Sequence, residues 1–462
     1  MTMWSKTILA LLSLGLVAAQ NSSSTCDTYM TQFCSIQGHR YCYISNTTSK
    51  PVCGSCLPGY VAWNARCIGE TYADIVYYLD EFQPIYVETL TNQDREALLL
   101  NSIVFIAQYQ HQNPPPKFQL GINAFSADTP ADEAGRLGFF PLLDNSTVKL
   151  TTLAPDNNST LPDVVDWVEE GAVTSVKDQG RCGCDWAVSA AGVIEGLLAV
   201  KTDYLLSLSE QQFVSCDTYN LGCNGGSVVN AMSYAILDKG IASDVDYPFT
   251  DKKGTTTKGC RKNAAPAVGI QNAAYVVDFN DTLTFDERLL RMKAAVAKQP
   301  VAMAMRAGCP LFTNYLSGIL TTDVGCECND SHCTDHAVLM VGYNDTANPP
   351  YWLVKNSWNA TWGEEGYVRI AQTQKGNFGL FGVLSQGIVP ILSSNSSSAT
   401  VSMSQSSGTI QEKKKLKWWA WFLIILAALL LIYVTISCLT GMLCPRPKKQ
   451  VEEPEPEKDA EQ

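Results

Sequence analysis

The octapeptide Gln179-Gly180-Arg181-Cys182-Gly183-Cys184-Asp185-Trp186 brings two thiols and a carboxylate to the start of a predicted helix, Trp186 to Val200. Two further helices are predicted at Ser209 to Ser215, where Ser209 and Gln212 make a capping-box pattern, and at Val228 to Lys239. A fourth, Thr284 to Lys298, is stopped by Pro300. The pattern then turns to strands: Val301 to Met305, Ala337 to Tyr343, Tyr351 to Lys355 and Tyr367 to Ile370. A helical lobe followed by a β lobe implies a cleft between them.

The chain holds four histidines. His39 and His111 lie outside this region, which leaves His332 and His336. His336 opens the strand Ala337 to Tyr343, and the next strand runs into Asn356-Ser357-Trp358, so His336 and Asn356 can face one another. An asparagine that accepts the ring N–H fixes the imidazole tautomer, as the third member of a Cys/His/Asn arrangement does.

Taken with Leu161-Pro162-Asp163-Val164-Val165-Asp166-Trp167, Cys223-Asn224-Gly225-Gly226, Asp335-His336-Ala337-Val338 and Lys355-Asn356-Ser357-Trp358, the octapeptide resembles the papain family of cysteine peptidases from Leu161 to about Pro390. The resemblance implies an α+β, papain-like two-lobe fold, a helical lobe plus a β-barrel-like lobe. It also implies roles. Gln179 donates to an oxyanion hole, His336 is the acid/base, Asn356 orients it under Trp358, and Trp186, Gly225, Gly226 and Trp358 line the substrate cleft. It pairs Cys182 with Cys223 and Cys216 with Cys260. The family's third disulfide has no counterpart, because Phe381 stands where its last cysteine is expected. Upstream, Gly121-x-Asn123-x-Phe125 resembles the family's inhibitory prosegment, with Ala127 in place of an expected Asp.

One departure bears on activity: Asp185 precedes Trp186, where the family has its nucleophilic cysteine. A thiolate at a helix N-terminus beside an imidazolium is stabilised and stays nucleophilic. A carboxylate gains the same stabilisation and attacks an amide poorly, so an idle Asp185–His336 ion pair is expected. Cys184 is the competing nucleophile, but a shift of one helical residue rotates a side chain by about 100° and moves it about 1.5 Å, enough to lose attack geometry. If Cys309, Cys326, Cys328 and Cys333 pair among themselves, Cys184 is the odd thiol. Two functions stay open here: an impaired or inactive peptidase homologue, with hydrolysis through Cys184, His336 and Gln179 as its active form, and a non-catalytic peptide- or protein-binding surface protein using the retained cleft. The partners implied are a polypeptide substrate or peptide ligand and the chain's own prosegment; no cofactor and no metal are implied.

Composition sets the surroundings. The 462 residues are 46% hydrophobic, which excludes wholesale disorder, and a net charge of −12 without a basic stripe argues against nucleic acid as a partner. Fifteen of the 17 cysteines lie between Cys26 and Cys333, a usage that suits an oxidising compartment. Lys6 before the apolar run Ile8 to Val17, then Ala18 and Ala19, reads as a signal peptide. Asn-x-Ser/Thr acceptors recur at Asn21, Asn46, Asn145, Asn158, Asn280, Asn329, Asn344, Asn359 and Asn395. Trp418 to Leu443 is a run of 26 uncharged residues, against the roughly 20 a membrane helix needs. Cys26 to Cys67 carries six cysteines with 7, 7, 10, 2 and 10 residues between them and resembles an EGF-like unit, with zinc binding through Cys53, Cys56 and His39 as the less favoured reading. Thr71 to about Gln112 reads as helical, ended by Pro114 to Pro116.

The expected order is therefore a signal peptide (1–20), a cysteine-rich EGF-like module (21–70), an inhibitory-prosegment-like region (71–130), a linker (131–160), a papain-like peptidase domain (161–391), a Ser/Thr-rich stalk (392–412), a transmembrane helix (418–443) and a cytosolic tail (444–462). The chain reads as a single-pass type I protein of the secretory pathway, crossing the lipid bilayer once at the cell surface or an endolysosomal membrane. Protease added to sealed microsomes is expected to spare the large N-terminal portion and trim only the tail. Removal of the peptidase-like region by external protease would refute this topology.

Overall fold

The computed structural model describes residues 78–391 apart from 87–88, 111–115, 141–147, 155–159, 239, 256–258, 262, 329 and 331–332, together with four short strands between residues 42 and 68 and residues 411–412. In the cysteine-rich region those strands form two antiparallel hairpins, Cys42–Ile44 with Pro51–Cys53 and Val61–Trp63 with Arg66–Ile68. The signal peptide, membrane span and tail expected from the sequence, and residues 392–410 of the expected stalk, lie outside the described residues. Among the described residues no helix is long and apolar enough to cross a membrane.

Ten strands make the main sheet: β1 Phe118–Leu120, β2 Thr151–Thr152, β3 Val164–Asp166, β4 Asn272–Val277, β5 Val301–Met305, β6 Tyr315–Leu320, β7 His336–Asn344, β8 Tyr351–Lys355, β9 Tyr367–Ala371 and β10 Gly387–Ile391. Their order is β1-β6-β9-β8-β7-β5-β10-β4-β2, with β3 pairing β7. Most neighbours are antiparallel, while β6 with β9 and β2 with β4 are parallel. Strand β7 is buried along nearly its whole length, with only Asn344 partly accessible, because it is covered on one side by the helical lobe and on the other by the β-lobe core. Such strands read as continuous apolar runs, and Ala337 to Val341 is one.

Helix α3 (Asp185–Thr202) packs on β7. Small residues permit the approach: a Cβ on Gly192 would lie 3.1 Å from Leu339 and one on Gly196 2.7 Å from Pro300. Around α3, the helices α4 (Glu210–Cys216) and α5 (Val228–Leu237) close a core with Trp186, Phe213 and Met232. A second core holds Phe312, Trp352, Trp358 and Trp362 of the β lobe.

The prosegment is built into that second core. Helix α1 (Asn92–Gln110) buries Leu99, Ile103 and Ile106, one helical stripe, among the β-lobe residues; burial of each such side chain is worth about 1.5–3 kcal/mol. Strand β1 then adds antiparallel to β6 and covers the edge of the sheet.

Several expectations are corrected. Thr71 to Gln112 is not one helix: residues 78–82 are helical, then Gln83 has φ 42° and Pro84 follows, and residues 83–86 and 89–91 are not helical before α1 begins. The stretch 131–140, assigned to the linker, holds the short helix α2 (Pro130–Ala134), capped by Thr129 and Asp132, and then an extended segment. The capping box at Ser209 is half made. Ser209 accepts the Gln212 N–H at 3.0 Å, but the Gln212 amide turns away to take the Ala242 N–H at 2.7 Å. By contrast Thr284 and Glu287 make both halves of a box at α6 (Phe285–Val296).

Cys182 bonds Cys223 and Cys216 bonds Cys260. Cys309 with Cys326 and Cys328 with Cys333 close two local loops, while Phe381 is buried against Phe312 at 5.9 Å between ring centroids. Replacing Cys216 and Cys260 by serine frees a loop with a sequence separation of 44. It is expected to cost about 2–4 kcal/mol, measured by denaturant unfolding of the two variants; an unchanged midpoint would mean the bond constrains nothing.

Candidate active site

Asp185 is the first residue of α3, where the exposed N–H groups and the helix dipole favour negative charge. Its Oδ1 accepts the Trp186 N–H at 2.6 Å. Its Oδ2 lies 2.7 Å from His336 Nδ1, and both side chains are wholly buried. His336 is delivered from the other lobe, as the first residue of β7.

The second ring nitrogen, Nε2, lies 2.9 Å from Asn356 Oδ1. That oxygen also accepts the Ser357 N–H at 2.8 Å, which fixes the orientation of the Asn356 amide. Both ring nitrogens thus have a hydrogen-bond partner, Nδ1 on Asp185 and Nε2 on Asn356. Trp358 covers the imidazole at a centroid distance of 5.0 Å.

Gln179 sits beside this pair. Its backbone N–H binds Ser357 O at 3.0 Å, and the Ser357 hydroxyl donates to its Oε1. The side-chain N–H groups are therefore aimed away from Ser357. They donate to Cys182 O and to Arg136 O, each at 2.8 Å. Gln179, Asp185, His336 and Asn356 are brought together by elements of both lobes; Gly225 and Gly226 lie on the rim, where Gly225 has φ 110° and a Cβ would strike Phe140 at 2.3 Å. Trp186 is placed beneath the cleft, not on its wall. It is fully buried in the helical core and donates to Gly222 O at 3.3 Å.

Cys184 does not join the site. It occupies the N-cap position of α3 without a side-chain capping hydrogen bond and is the free cysteine among the described residues, with no exposure. Burial, and after it the Asp185 charge, pushes its thiol well above the ordinary range. A buried thiol held protonated is inert.

Sequence reading missed Arg181, inside the octapeptide. Its guanidinium is buried and holds both oxygens of the prosegment's Asp128, at 2.7 and 2.6 Å. It also missed Arg136, which contacts Asp128 and packs its guanidinium against both the Phe125 and Trp358 rings, 4.5 and 4.7 Å from their centroids. Below the site, Lys177 pairs with Glu210 at 2.8 Å, and Glu195 and Lys355 share the Thr174 hydroxyl. Burial pushes Glu210 up to about 7 and Lys355 down to about 8. None of these pairings has a local sequence signal, since the partners are remote along the chain.

Residues 161–388 match the family described as papain family cysteine protease. Ananain of Ananas comosus is 33% identical over 322 residues, 69% of this chain and 88% of that protein. Cysteine proteinase RD21A of Arabidopsis thaliana is 35% identical over 307 residues, 66% of this chain and 62% of its own length. Among solved structures, a recombinant stem bromelain precursor superposes with TM-score 0.59 at 28% identity, covering 70% of this chain and 99% of that one. The digestive procathepsin L2 of Tenebrio molitor does so with TM-score 0.59, also at 28% identity, covering 70% and 100%.

A double-mutant cycle tests the ion pair. Asp185→Ala leaves the His336 ring, and His336→Ala leaves the Asp185 side chain, buried without its partner, so each is expected to cost about 3–5 kcal/mol, while the double variant costs less than the sum. Additive losses in denaturant unfolding would show that the two do not interact.

Proposed function

The chain belongs to the papain family of cysteine proteases, and we propose that it is a membrane-anchored member whose peptide hydrolysis has been lost or greatly impaired at Asp185. A single contact carries this reading: Asp185 Oδ2 on His336 Nδ1 at 2.7 Å, with Asn356 behind the ring. The family's chemistry requires a sulfur nucleophile within reach of that nitrogen. A carboxylate in its place completes the charge pair and supplies no competent attacking atom. Gln179, the acid/base His336 and the orienting Asn356 keep their mutual arrangement, so the cleft retains the means to hold a peptide.

The alternative nucleophile, Cys184, is disfavoured by its burial and raised thiol pKa. What then remains for the cleft is recognition of a polypeptide. Anchoring by the 418–443 span, secretion, and glycosylation rest on the sequence, and exposed Asn280 and Asn359 suit the last of these.

Asp185→Cys tests the reading. The wild-type and variant chains are treated alike, by limited proteolysis that removes the prosegment, and assayed on a fluorogenic peptide. The variant is expected to exceed the wild type by about 10²-fold or more. A wild-type chain that cleaves the peptide, and stops doing so on Cys184→Ser, would overturn the proposal.

A further inference from the structure

Between β8 and β9 the chain makes a turn whose two ends are sunk in the β-lobe core and whose tip stands in solvent. Trp358 and Trp362 are buried, while Asn359, Ala360 and Thr361 between them are exposed. Asn359 has φ 70°, a left-handed conformation that asparagine adopts more readily than most residues with a Cβ. Its Oδ1 accepts the Thr361 N–H at 3.2 Å. The other amide atom, Nδ2, is the one that carries an N-linked sugar, and Asn359-Ala360-Thr361 is an acceptor triplet. A sugar at this tip displaces no core side chain.

The turn lies against residues 176–179. The Asn359 N–H donates to Lys177 O at 3.1 Å, and Trp358 makes a β-bridge with Asp178. The same residues, 176–179, wall a groove of about 320 Å³, a volume at the small end of ligand-sized clefts. Pro248 and Phe249 give the groove an apolar face, and Asp244, Asp178 and Lys252 give it charged groups, the last two paired at 2.7 Å. A pyranose has a face of C–H groups and a rim of hydroxyls that both donate and accept, so it matches both walls.

We propose that Asn359 is a modification site and that the N-acetylglucosamine core of its N-linked glycan docks in this groove, beside Gln179. This rests on the reading of the chain as secreted and glycosylated, and adds which acceptor bears on the cleft and what holds its sugar. Attachment next to the groove makes docking intramolecular, so weak contacts suffice at the high effective concentration of a tethered ligand.

The test uses the full chain, made in a secretory eukaryotic cell, purified in detergent and treated with a peptide-N-glycosidase under native conditions. Peptide mapping follows the conversion of each acceptor from Asn to Asp. Asn280, which is exposed and lines no part of the groove, is the reference. Native release follows the undocked population, so the Asn359 glycan is expected to leave about tenfold more slowly than the Asn280 glycan. After denaturation the two are expected to leave alike. Phe249→Ala and the exposed Lys252→Ala, made separately, are expected to raise the native rate at Asn359 several-fold and to leave Asn280 unchanged. A glycan at Asn280 with none at Asn359 overturns the site and leaves the secretory reading standing. Equal native rates at the two acceptors, or a rate at Asn359 that neither variant changes, overturn the docking. No glycan at either acceptor overturns the proposal and the secretory reading together.

Discussion

Asp185 from one lobe and His336 from the other, with a carboxyl oxygen 2.7 Å from a ring nitrogen and without solvent access, hold the centre of this molecule. Buried polar groups are costly unless their hydrogen-bonding capacity is filled, and much of the surrounding structure follows from that demand. The α3 N-terminus supplies the Trp186 N–H, Asn356 supplies the acceptor for the second ring nitrogen, and the prosegment supplies the last donor through Gly138. Neither lobe meets this requirement alone.

The same constraint explains why fold and chemistry separate here. The papain-family framework places a charged atom at a helix start opposite a histidine, and a thiolate and a carboxylate satisfy that electrostatic role alike. Only the thiolate also serves as the attacking atom. The fold thus accommodates Asp185, and the proposed loss of hydrolysis is a property of the site rather than of the architecture. Cys184, one residue earlier, turns its sulfur into the helical core, where the framework needs a small apolar group.

How much was legible in advance varies with the range of the forces involved. Strands β5 and β8 were read to the residue, β7 to within one residue at each end and β9 to within one at its C-terminal end, because apolar runs bounded by turns report a covered sheet directly. The helices α3 and α5 were placed by the same kind of local signal. The prosegment was read less well. Its break at Gln83 and Pro84 interrupts an otherwise helical pattern, and the polar, acidic stretch around Asp128 and Asp132 resembles a linker until the arginines that neutralise it are known. Half of the Ser209 box failed because Gln212 found a better partner in the Ala242 backbone.

Sequence alone supplied the family resemblance and, through it, the expectation that Asp185 stands at the nucleophile's position, that His336 and Asn356 accompany it, and that Phe381 stands where a cysteine is expected. These are statements about residue types in order, and the quoted motifs carry them. The meeting of His336 with Asp185 and Asn356, the burial of Cys184, the shared Asp128 between Arg136 and Arg181, and the seating of Gly138 against Gly183 belong to the folded molecule. Each depends on groups far apart in the chain meeting within a few ångströms in a medium that excludes water, and such meetings are fixed by packing of the whole, not by any neighbour in sequence.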